Sequence, residues 1–213
     1  MTVRRWIAEI LEDKELVARI KERLPYLFQL AELEASRAGK VGMEVGTFRE
    51  QILIALLIYK FGEENVNTNI PITAPEVDVE VLGFPISIRT VTGRSNIKVA
   101  WTVDAQKAKE FLRNYSPRCD ILFVQINWEK NGKIYCIPLE VQQNVFGSMG
   151  RERYLRLPKL GTNPRGIEIS KDALMKLITD ENTQSIDVFW HRSEIKYKPY
   201  QRWIDYWKRD NLV

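Results

Sequence analysis

Residues 76–92, EVDVEVLGFPISIRTVT, place the strongest constraint on what this chain can fold into. The first half alternates valine with acidic residues, and the second half alternates isoleucine with Ser87 and Arg89. Alternation with a period of two among β-branched residues predicts two strands that share a polar face. If Gly83-Phe84 forms the two-residue loop of a hairpin, Asp78 lies directly opposite Arg89 on that face.

A carboxylate beside a cation on a hairpin has two interpretations. A cross-strand ion pair at a solvated surface is common and contributes little stability. The alternative is a functional site that uses the paired charges, and the rest of the chain bears on the choice.

The histidine and cysteine content limits the chemistry of such a site. One histidine and two cysteines are too few for zinc fingers, zinc hydrolases or nucleases with a histidine general base. We expect Cys119 and Cys136 to pack as small apolar residues and not to form a disulfide. A metal would therefore be held by carboxylates and carbonyls, which favour a hard ion such as Mg²⁺.

Positive charge is concentrated in the second half of the chain. The net charge is +4, but residues 83–118 carry seven basic against two acidic residues, and residues 148–171 and 190–209 each carry six against two. Three basic stretches indicate a polyanionic partner, although three solvated surfaces would give the same pattern.

The apolar runs in the sequence are short. The longest, residues 52–59, is far below the roughly 20 residues that a membrane-spanning helix requires. The N-terminus turns acidic too early for a signal peptide. We therefore expect a cytoplasmic protein with no membrane partner.

The N-terminal part reads as helices followed by a glycine-rich loop. Apolar residues recur at helical spacing from residue 3 to residue 38; Pro25 is expected to end the second helix, and Gly39 closes the third. Met43 lies in the loop at residues 39–46. It is either buried beneath the loop or an apolar wedge between base pairs, as in minor-groove proteins.

The next predicted helix begins at Thr47 and ends at Gly62. Thr47 and Glu50 fit a capping box, in which Glu50 bonds back to the helix start. Alternatively, Glu50 points from the exposed helix start across at the hairpin. The apolar run at residues 52–58 predicts that the helix is buried on nearly all sides.

The remainder alternates strands and helices. We expect a polar basic loop at 92–98, a helix at 103–115, strands at 119–128 and 134–141 joined by a tight Asn131-Gly132 turn, an irregular basic stretch at 148–169, a helix at 171–178, a strand at 186–190 and an aromatic, basic segment at 197–207. Without repeats or linkers, this order predicts one α/β domain over residues 1–213, with a helical part (1–45) and an α/β core (46–213).

The order of these features resembles the PD-(D/E)xK nuclease core, and more closely the ThaI-type restriction endonucleases. The resemblance covers nearly the whole chain and is carried by Gly42-Met43-Glu44, Glu50, Pro75-Glu76-Val77-Asp78, Ile86-Ser87-Ile88-Arg89, the hairpin at 122–140 and Asn163-Pro164-Arg165-Gly166-Ile167. It implies a central mixed β-sheet flanked by helices. The family's active site is a helix-borne Glu, a strand Asp and a strand Lys; Glu50 and Asp78 match the acidic positions, and Arg89 stands at the lysine position.

The resemblance also implies a function. A type II restriction endonuclease of this kind is a homodimer that hydrolyses double-stranded DNA with Mg²⁺ at a short CG-rich palindrome, CGCG. Glu50 and Asp78 would hold the metal. Because Arg89 replaces the family's lysine, the alternative is a catalytically weakened, sequence-specific DNA-binding protein on a nuclease fold.

Several further residues are expected to contact DNA. Met43 stands at the position of the family's intercalating methionine. DNA contacts are also expected from Ser87, Arg94, Lys98 and Arg165, and the three basic residues are candidates to read guanine from the major groove.

A second approximate motif competes with this assignment. Pro117-Arg118-Cys119-Asp120 and Glu140-Val141-Gln142 have a similar order, although glutamine replaces the final lysine. Short linear motifs of this kind are weakly specific, so we rank Asp120 and Glu140 behind Asp78 and Glu50.

Overall fold

The computed structural model describes residues 6–37, 40–42, 44–71, 76–93, 95–101, 105–158 and 166–209. These residues form the helices α1 (Trp6–Glu12), α2 (Lys14–Glu34), α3 (Val45–Phe61), α4 (Ala105–Asn114), α5 (Leu139–Met149), α6 (Arg151–Tyr154), α7 (Lys171–Thr179) and α8 (Gln201–Trp207). Among the described residues, no helix is both long and apolar enough to cross a membrane.

The strands form a large mixed sheet and two small ones. They are β1 (Ser36–Arg37), β2 (Lys40–Val41), β3 (Val66–Asn67), β4 (Val79–Val81), β5 (Phe84–Thr92), β6 (Lys98–Trp101), β7 (Asp120–Ile126), β8 (Asn131–Ile137), β9 (Leu155–Arg156), β10 (Gly166–Ile169) and β11 (Gln184–Phe189). The large sheet has the order β11-β8-β7-β5-β4-β3, in which β5 and β7 are parallel and the other pairs are antiparallel. The small sheets are β6-β10-β9 and β1-β2.

The large sheet has a hydrophobic layer on each face. On one face, buried side chains of α1, α2 and α3 pack with those of the strands, including Ile86 and Ile88. On the other face, α4 to α7 and the β6-β10-β9 sheet pack on alternate strand residues, including Val91. Because successive strand residues point to opposite faces, the odd-numbered side chains of β5 face this second layer. The polar face predicted for the hairpin is therefore partly buried and not a fully solvated surface.

The expected hairpin at residues 76–92 is present, but with a different register. Val81 pairs with Phe84, and the turn residues are Leu82 and Gly83, both with positive φ, of 52° and 79°. Two positive φ values are what a tight turn between twisted strands requires. The register differs from the predicted one by two residues. An even shift keeps every side chain on its face, so Asp78 and Arg89 still share a face.

The predicted helix boundary at Pro25 is wrong. Pro25 lies inside α2, which continues to Glu34. An internal proline removes one helical hydrogen bond and costs about 3 kcal/mol. Leu24 and Phe28, which flank Pro25, are 3% and 0% exposed. Burial of both halves of the helix on the sheet outweighs the cost of the proline.

The Asn131-Gly132 turn prediction is also wrong, because both residues lie in β8. The turn precedes them: the Lys130 amide donates to the Asn127 carbonyl at 2.9 Å, and Glu129 has a φ of 62°. Gly132 is required for a different reason. A Cβ atom there would collide with the Gln125 carbonyl and the Trp190 indole.

Two further expectations differ from the structure. The strand expected to reach residue 141 ends at Ile137, and α5 follows it. The stretch expected to be irregular, 148–169, contains α6, β9 and β10. The expected helix near 171–178 and strand near 186–190 are present as α7 and β11. Cys119 and Cys136 are buried free thiols, as expected.

Candidate active site

A cleft of about 900 Å³ opens beside β5. Its walls come from the start of α3, the residue before β4, the second half of β5, the segment leading into β6, and α4. The charged side chains that line it are Glu50, Asp78, Arg89, Lys98 and Lys107. The cleft therefore brings two carboxylates together with cations contributed by β5, β6 and α4.

Asp78 and Arg89 form a partly buried ion pair at the cleft. Nη1 of Arg89 donates to Oδ2 of Asp78 at 2.8 Å, and the two side chains are 17% and 15% exposed. The Ile88 amide donates to the same oxygen at 2.6 Å, and the Ser87 hydroxyl lies 3.5 Å from it. These contacts to Asp78 all go to Oδ2, so Oδ1 accepts no hydrogen bond from the described residues.

Arg89 is held by more than its ion pair. Nη1 also donates to the Ile88 carbonyl at 2.9 Å, and Nη2 lies 3.4 Å from the Glu76 carbonyl. A guanidinium with several fixed acceptors has few orientations open to it. Arg89 is therefore a cation of fixed position beside Asp78.

Glu50 lies at the cleft because of where α3 begins. The helix starts at Val45 with Glu44 as its N-cap, and no side chain caps it by a hydrogen bond. The capping box predicted for Thr47 and Glu50 is therefore wrong, and Glu50 lies beyond the first turn. The helix is also less buried than expected: Arg49, Leu53 and Leu57 are its buried residues, whereas Tyr59 is 62% exposed.

The environment of Glu50 and Asp78 disfavours their negative charges. Burial raises the pKa of Glu50, the nearby Asp78 carboxylate raises it further, and Arg89 opposes this. Burial also raises the pKa of Asp78, although Arg89 and hydrogen bonds from Ile88 and Ser87 lower it. Two neighbouring carboxylates that are partly withdrawn from water are stabilised by a bound proton or cation.

The oxygen atoms of Glu50 and Asp78 are the donors that a divalent cation would find in the cleft. The described residues contain no cluster of three or more His, Cys, Asp or Glu side chains that could hold a metal. A site here would have two carboxylates, with water or substrate oxygens completing the coordination. Mg²⁺ is commonly bound in this way, since it retains several waters and uses one or two carboxylates with phosphate oxygens. Glu50 and Asp78 therefore fit Mg²⁺.

The sequence did not lead us to expect two further residues, Glu76 and Lys107, near this site. Burial raises the pKa of Glu76 to about 7, against the opposing effects of Arg118 and Arg89. Lys107 lines the cleft from α4. Glu76 stands in the motif that carries the family resemblance, which was a usable signal. Lys107 is one of two lysines on an amphipathic helix, and nothing in the sequence singles it out.

The residues expected to contact DNA fall into three groups. Lys98 lines the cleft. Ser87 is only 4% exposed and lies against Asp78, so its burial argues against the expected DNA contact and gives it a supporting role. Met43, Arg94 and Arg165 lie outside the described residues.

The competing motif at Asp120 does not assemble a site. Asp120 is fully buried, and its Oδ1 accepts from the Leu139 amide at 2.6 Å, at the start of α5. Gln142 is also buried and donates to the Cys119 carbonyl at 2.8 Å. Glu140 is exposed. Asp120 and Gln142 thus join α5 to β7 and the residue before it, and the Asp120 carboxylate is in the favourable position of an anion at a helix N-terminus.

Comparison with known proteins gives two matches. Residues 10–209 match the family model of restriction endonuclease ThaI. A solved structure described as a restriction endonuclease in complex with substrate DNA is 51% identical in sequence, with a TM-score of 0.89 over 95% of this chain and 98% of that chain. No curated protein matches.

The mixed sheet with helices on both faces is thus the core of a restriction endonuclease, which confirms the fold class expected from the sequence. The chain belongs to the ThaI restriction endonuclease family. Membership in this family makes it a site-specific deoxyribonuclease.

Proposed function

We propose that the protein is a type II restriction endonuclease that hydrolyses double-stranded DNA with Mg²⁺, using Glu50, Asp78 and Arg89. The observation that carries the proposal is that these three side chains, distant in sequence, meet at one cleft. The solved relative is described as a complex with substrate DNA, which supports DNA as the substrate. The order of the motif, with an acidic strand residue and a cation on the next strand, supports the PD-(D/E)xK class.

Each residue has a distinct task in this proposal. Glu50 and the Oδ1 atom of Asp78 would hold the cation, and Ser87 and the Ile88 amide keep the Asp78 carboxylate oriented through Oδ2. A bound Mg²⁺ supplies charge neutralisation at the phosphate and lowers the pKa of a water. Arg89 is a permanent cation that would bind a phosphate oxygen, and it cannot accept a proton.

Binding of the DNA backbone is proposed for two lysines of the same cleft. Lys98 and Lys107 line it together with the carboxylates. Phosphate contacts of this kind fix the register of DNA without reading its sequence. Base recognition would then come from other segments, for which Met43, Arg94 and Arg165 remain sequence-based candidates.

The proposed recognition site and assembly are based on the family resemblance. We propose a homodimer that cuts a CG-rich palindrome, CGCG, because two-fold symmetric proteins read two-fold symmetric sites. Sedimentation analysis with and without a CGCG duplex tests the assembly. A monomer that cuts such a duplex would contradict it.

A second candidate function rests on the same ion pair. Arg89 neutralises Asp78 directly, and a carboxylate committed to an arginine is a poorer metal ligand. The protein would then bind its DNA sequence but cut it slowly or not at all.

A cleavage assay distinguishes the two functions. Purified protein is incubated with mixed-sequence plasmid DNA in Mg²⁺, and the fragments are mapped and compared with an EDTA control and with Asp78→Asn. Discrete fragments that require both Mg²⁺ and Asp78 support the endonuclease. Sequence-specific binding with no cleavage by the wild type, in Mg²⁺ or Mn²⁺, supports the binding protein.

A further inference from the structure

A buried carboxylate, Glu32, joins several distant parts of the chain. Glu32 is 7% exposed. Its Oε1 accepts from Nη2 of Arg49 at 2.6 Å and from Nε1 of Trp128 at 2.8 Å, and its Oε2 accepts from Nη2 of Arg192 at 2.8 Å. The ion pair with Arg49 is almost fully enclosed, whereas the Arg192 side chain is 45% exposed.

Arg49 connects this carboxylate to the cleft. Arg49 is the residue before Glu50 on α3 and is 5% exposed. One arm of its guanidinium binds Glu32 on α2, and the other, Nη1, donates to the Thr92 hydroxyl at 3.2 Å. Thr92 is the last residue of β5, the strand that carries Arg89.

The Arg49 side chain points toward the sheet, so the network fixes the position of α3. Arg49 is in the same stripe of α3 as Leu53 and Leu57, which pack on the sheet. The network fixes the first turns of α3 both to α2 and to the end of β5. The two elements that carry Glu50 and Arg89 are thereby connected through one side chain.

Stability alone is a weak reason to keep such a network. The free-energy cost of removing two charges from water is nearly as large as their Coulomb attraction. Replacing a buried ion pair by apolar residues is therefore often neutral or stabilising for the fold. Burial lowers the pKa of Arg49, although Glu32 opposes the change, in keeping with a costly site for a charge. A forked donor is, however, well suited to fixing two acceptors at a set separation.

We propose that Arg49 and Glu32 are positioning residues that set Glu50 relative to Asp78 and Arg89. The inference rests on the proposed function. Loss of the network would let the start of α3 shift against β5. Misplacement by about 1 Å of a catalytic group is enough to cost on the order of 100-fold in rate.

The test compares Arg49→Met and Arg49→Lys with Arg192→Met, a matched control that removes the exposed partner of the same carboxylate. The single-turnover rate at saturating DNA, the Mg²⁺ concentration for half-maximal rate, the DNA dissociation constant and the melting temperature are measured for each. We expect a fall in rate of at least 10-fold and a raised Mg²⁺ requirement for Arg49→Met. Arg49→Lys should be intermediate, and Arg192→Met should stay within about threefold of the wild type.

A second pair of variants guards against loss of folding. Thr92→Val removes the hydroxyl that Arg49 binds, and Thr92→Ser retains it. We expect Thr92→Val to raise the Mg²⁺ requirement and to reduce the rise in melting temperature that Ca²⁺ produces, with Thr92→Ser restoring both.

The outcomes separate the inference from the proposed function. A wild type that does not cut DNA in Mg²⁺ overturns both. An active wild type with equal rates and equal Mg²⁺ requirements in Arg49→Met, or equal losses in Arg49→Met and Arg192→Met, overturns only the positioning role. If Arg49→Met does not fold, the Thr92 pair decides in the same way, since a Thr92→Val variant that matches Thr92→Ser overturns the role.

Discussion

Asp78 lies diagonally across the β4–β5 hairpin from Arg89, with Oδ2 of Asp78 and Nη1 of Arg89 2.8 Å apart. The turn at Leu82-Gly83 sets the pairing Val81 with Phe84, and continuing that register brings Ser87 opposite Asp78. Diagonal neighbours on one face remain within reach of a long side chain. The arginine side chain is therefore long enough to reach Asp78 along this diagonal, and Ser87 lies directly opposite Asp78.

Replacement of Asp78 by Asn is expected to abolish cleavage and to leave DNA binding largely intact. Asn retains the size of the side chain but is a poorer ligand for a hard divalent ion. Plasmid cleavage and a DNA mobility shift measure the two properties. The control is Asp120→Asn, which should lower the melting temperature because the buried Asp120 carboxylate accepts from the Leu139 amide at the start of α5. Cleavage by Asp78→Asn but not by a folded Asp120→Asn would identify the other motif as the active one.

Replacement of Glu50 by Gln is expected to abolish cleavage without lowering the melting temperature. Loss of a helix cap costs about 0.5–2 kcal/mol, but α3 has no side-chain cap and begins before Thr47. A metal ligand has a further signature: Ca²⁺ should raise the melting temperature of the wild type and not that of the variant. An unimpaired cleavage rate would remove Glu50 from the metal site.

Replacement of Arg89 by Lys is expected to preserve or raise activity, because it introduces the residue that the family resemblance implies. Lys can keep the ion pair with Asp78 but loses the forked contacts to the Ile88 and Glu76 carbonyls. Arg89→Ala is the comparison variant and should be nearly inactive. Equal rates for Arg89→Ala and the wild type would mean that position 89 has no part in catalysis.

Glu76 is expected to make the stability of the protein depend on pH. Burial raises its pKa from 4.5 to about 7, so the folded state binds the proton more tightly than the unfolded state. The resulting stability is complete below about pH 4.5 and is lost as the pH rises through about 7. Glu76→Gln should therefore raise the melting temperature at pH 8 by a few degrees, on the order of 1 kcal/mol for a chain of this size. At pH 4.5 the two proteins should differ little, and a constant difference across this range would contradict the assignment.

Replacement of Met43 by Ala is expected to weaken specific DNA binding far more than non-specific binding. The prediction rests on sequence alone, since an unbranched apolar side chain can enter between base pairs. Competition titrations with a CGCG duplex and with a scrambled duplex measure the difference. A core methionine would behave oppositely, with a loss of about 2–5 kcal/mol of stability on truncation. A large fall in melting temperature with unchanged affinity would therefore indicate a buried role.

Local pattern was sufficient for much of the large sheet. The alternation before and after Gly83 predicts β4 and β5, and the apolar run at 119–128 predicts β7. The tight-turn interpretation of Asn131-Gly132 failed because a glycine can serve either a turn or a close approach. Only the packing of Trp190 against β8 distinguishes the two. The helix end predicted at Pro25 was wrong for a similar reason. The lost helical hydrogen bond is a local effect, whereas the burial of Phe28 that compensates for it depends on packing against the sheet.

The sequence by itself determined that Asp78 and Arg89 share one face of a hairpin, because side-chain alternation survives any even change of register. It also determined the family, through motifs spread over most of the chain. Only the tertiary structure decided that Glu50 joins them at the cleft and that Asp120 lies in the core instead. The same holds for the link through Arg49 to Glu32, 17 residues away in the chain. The physical reason is that these contacts depend on how helices pack on a sheet, and no local spacing in the sequence encodes that geometry.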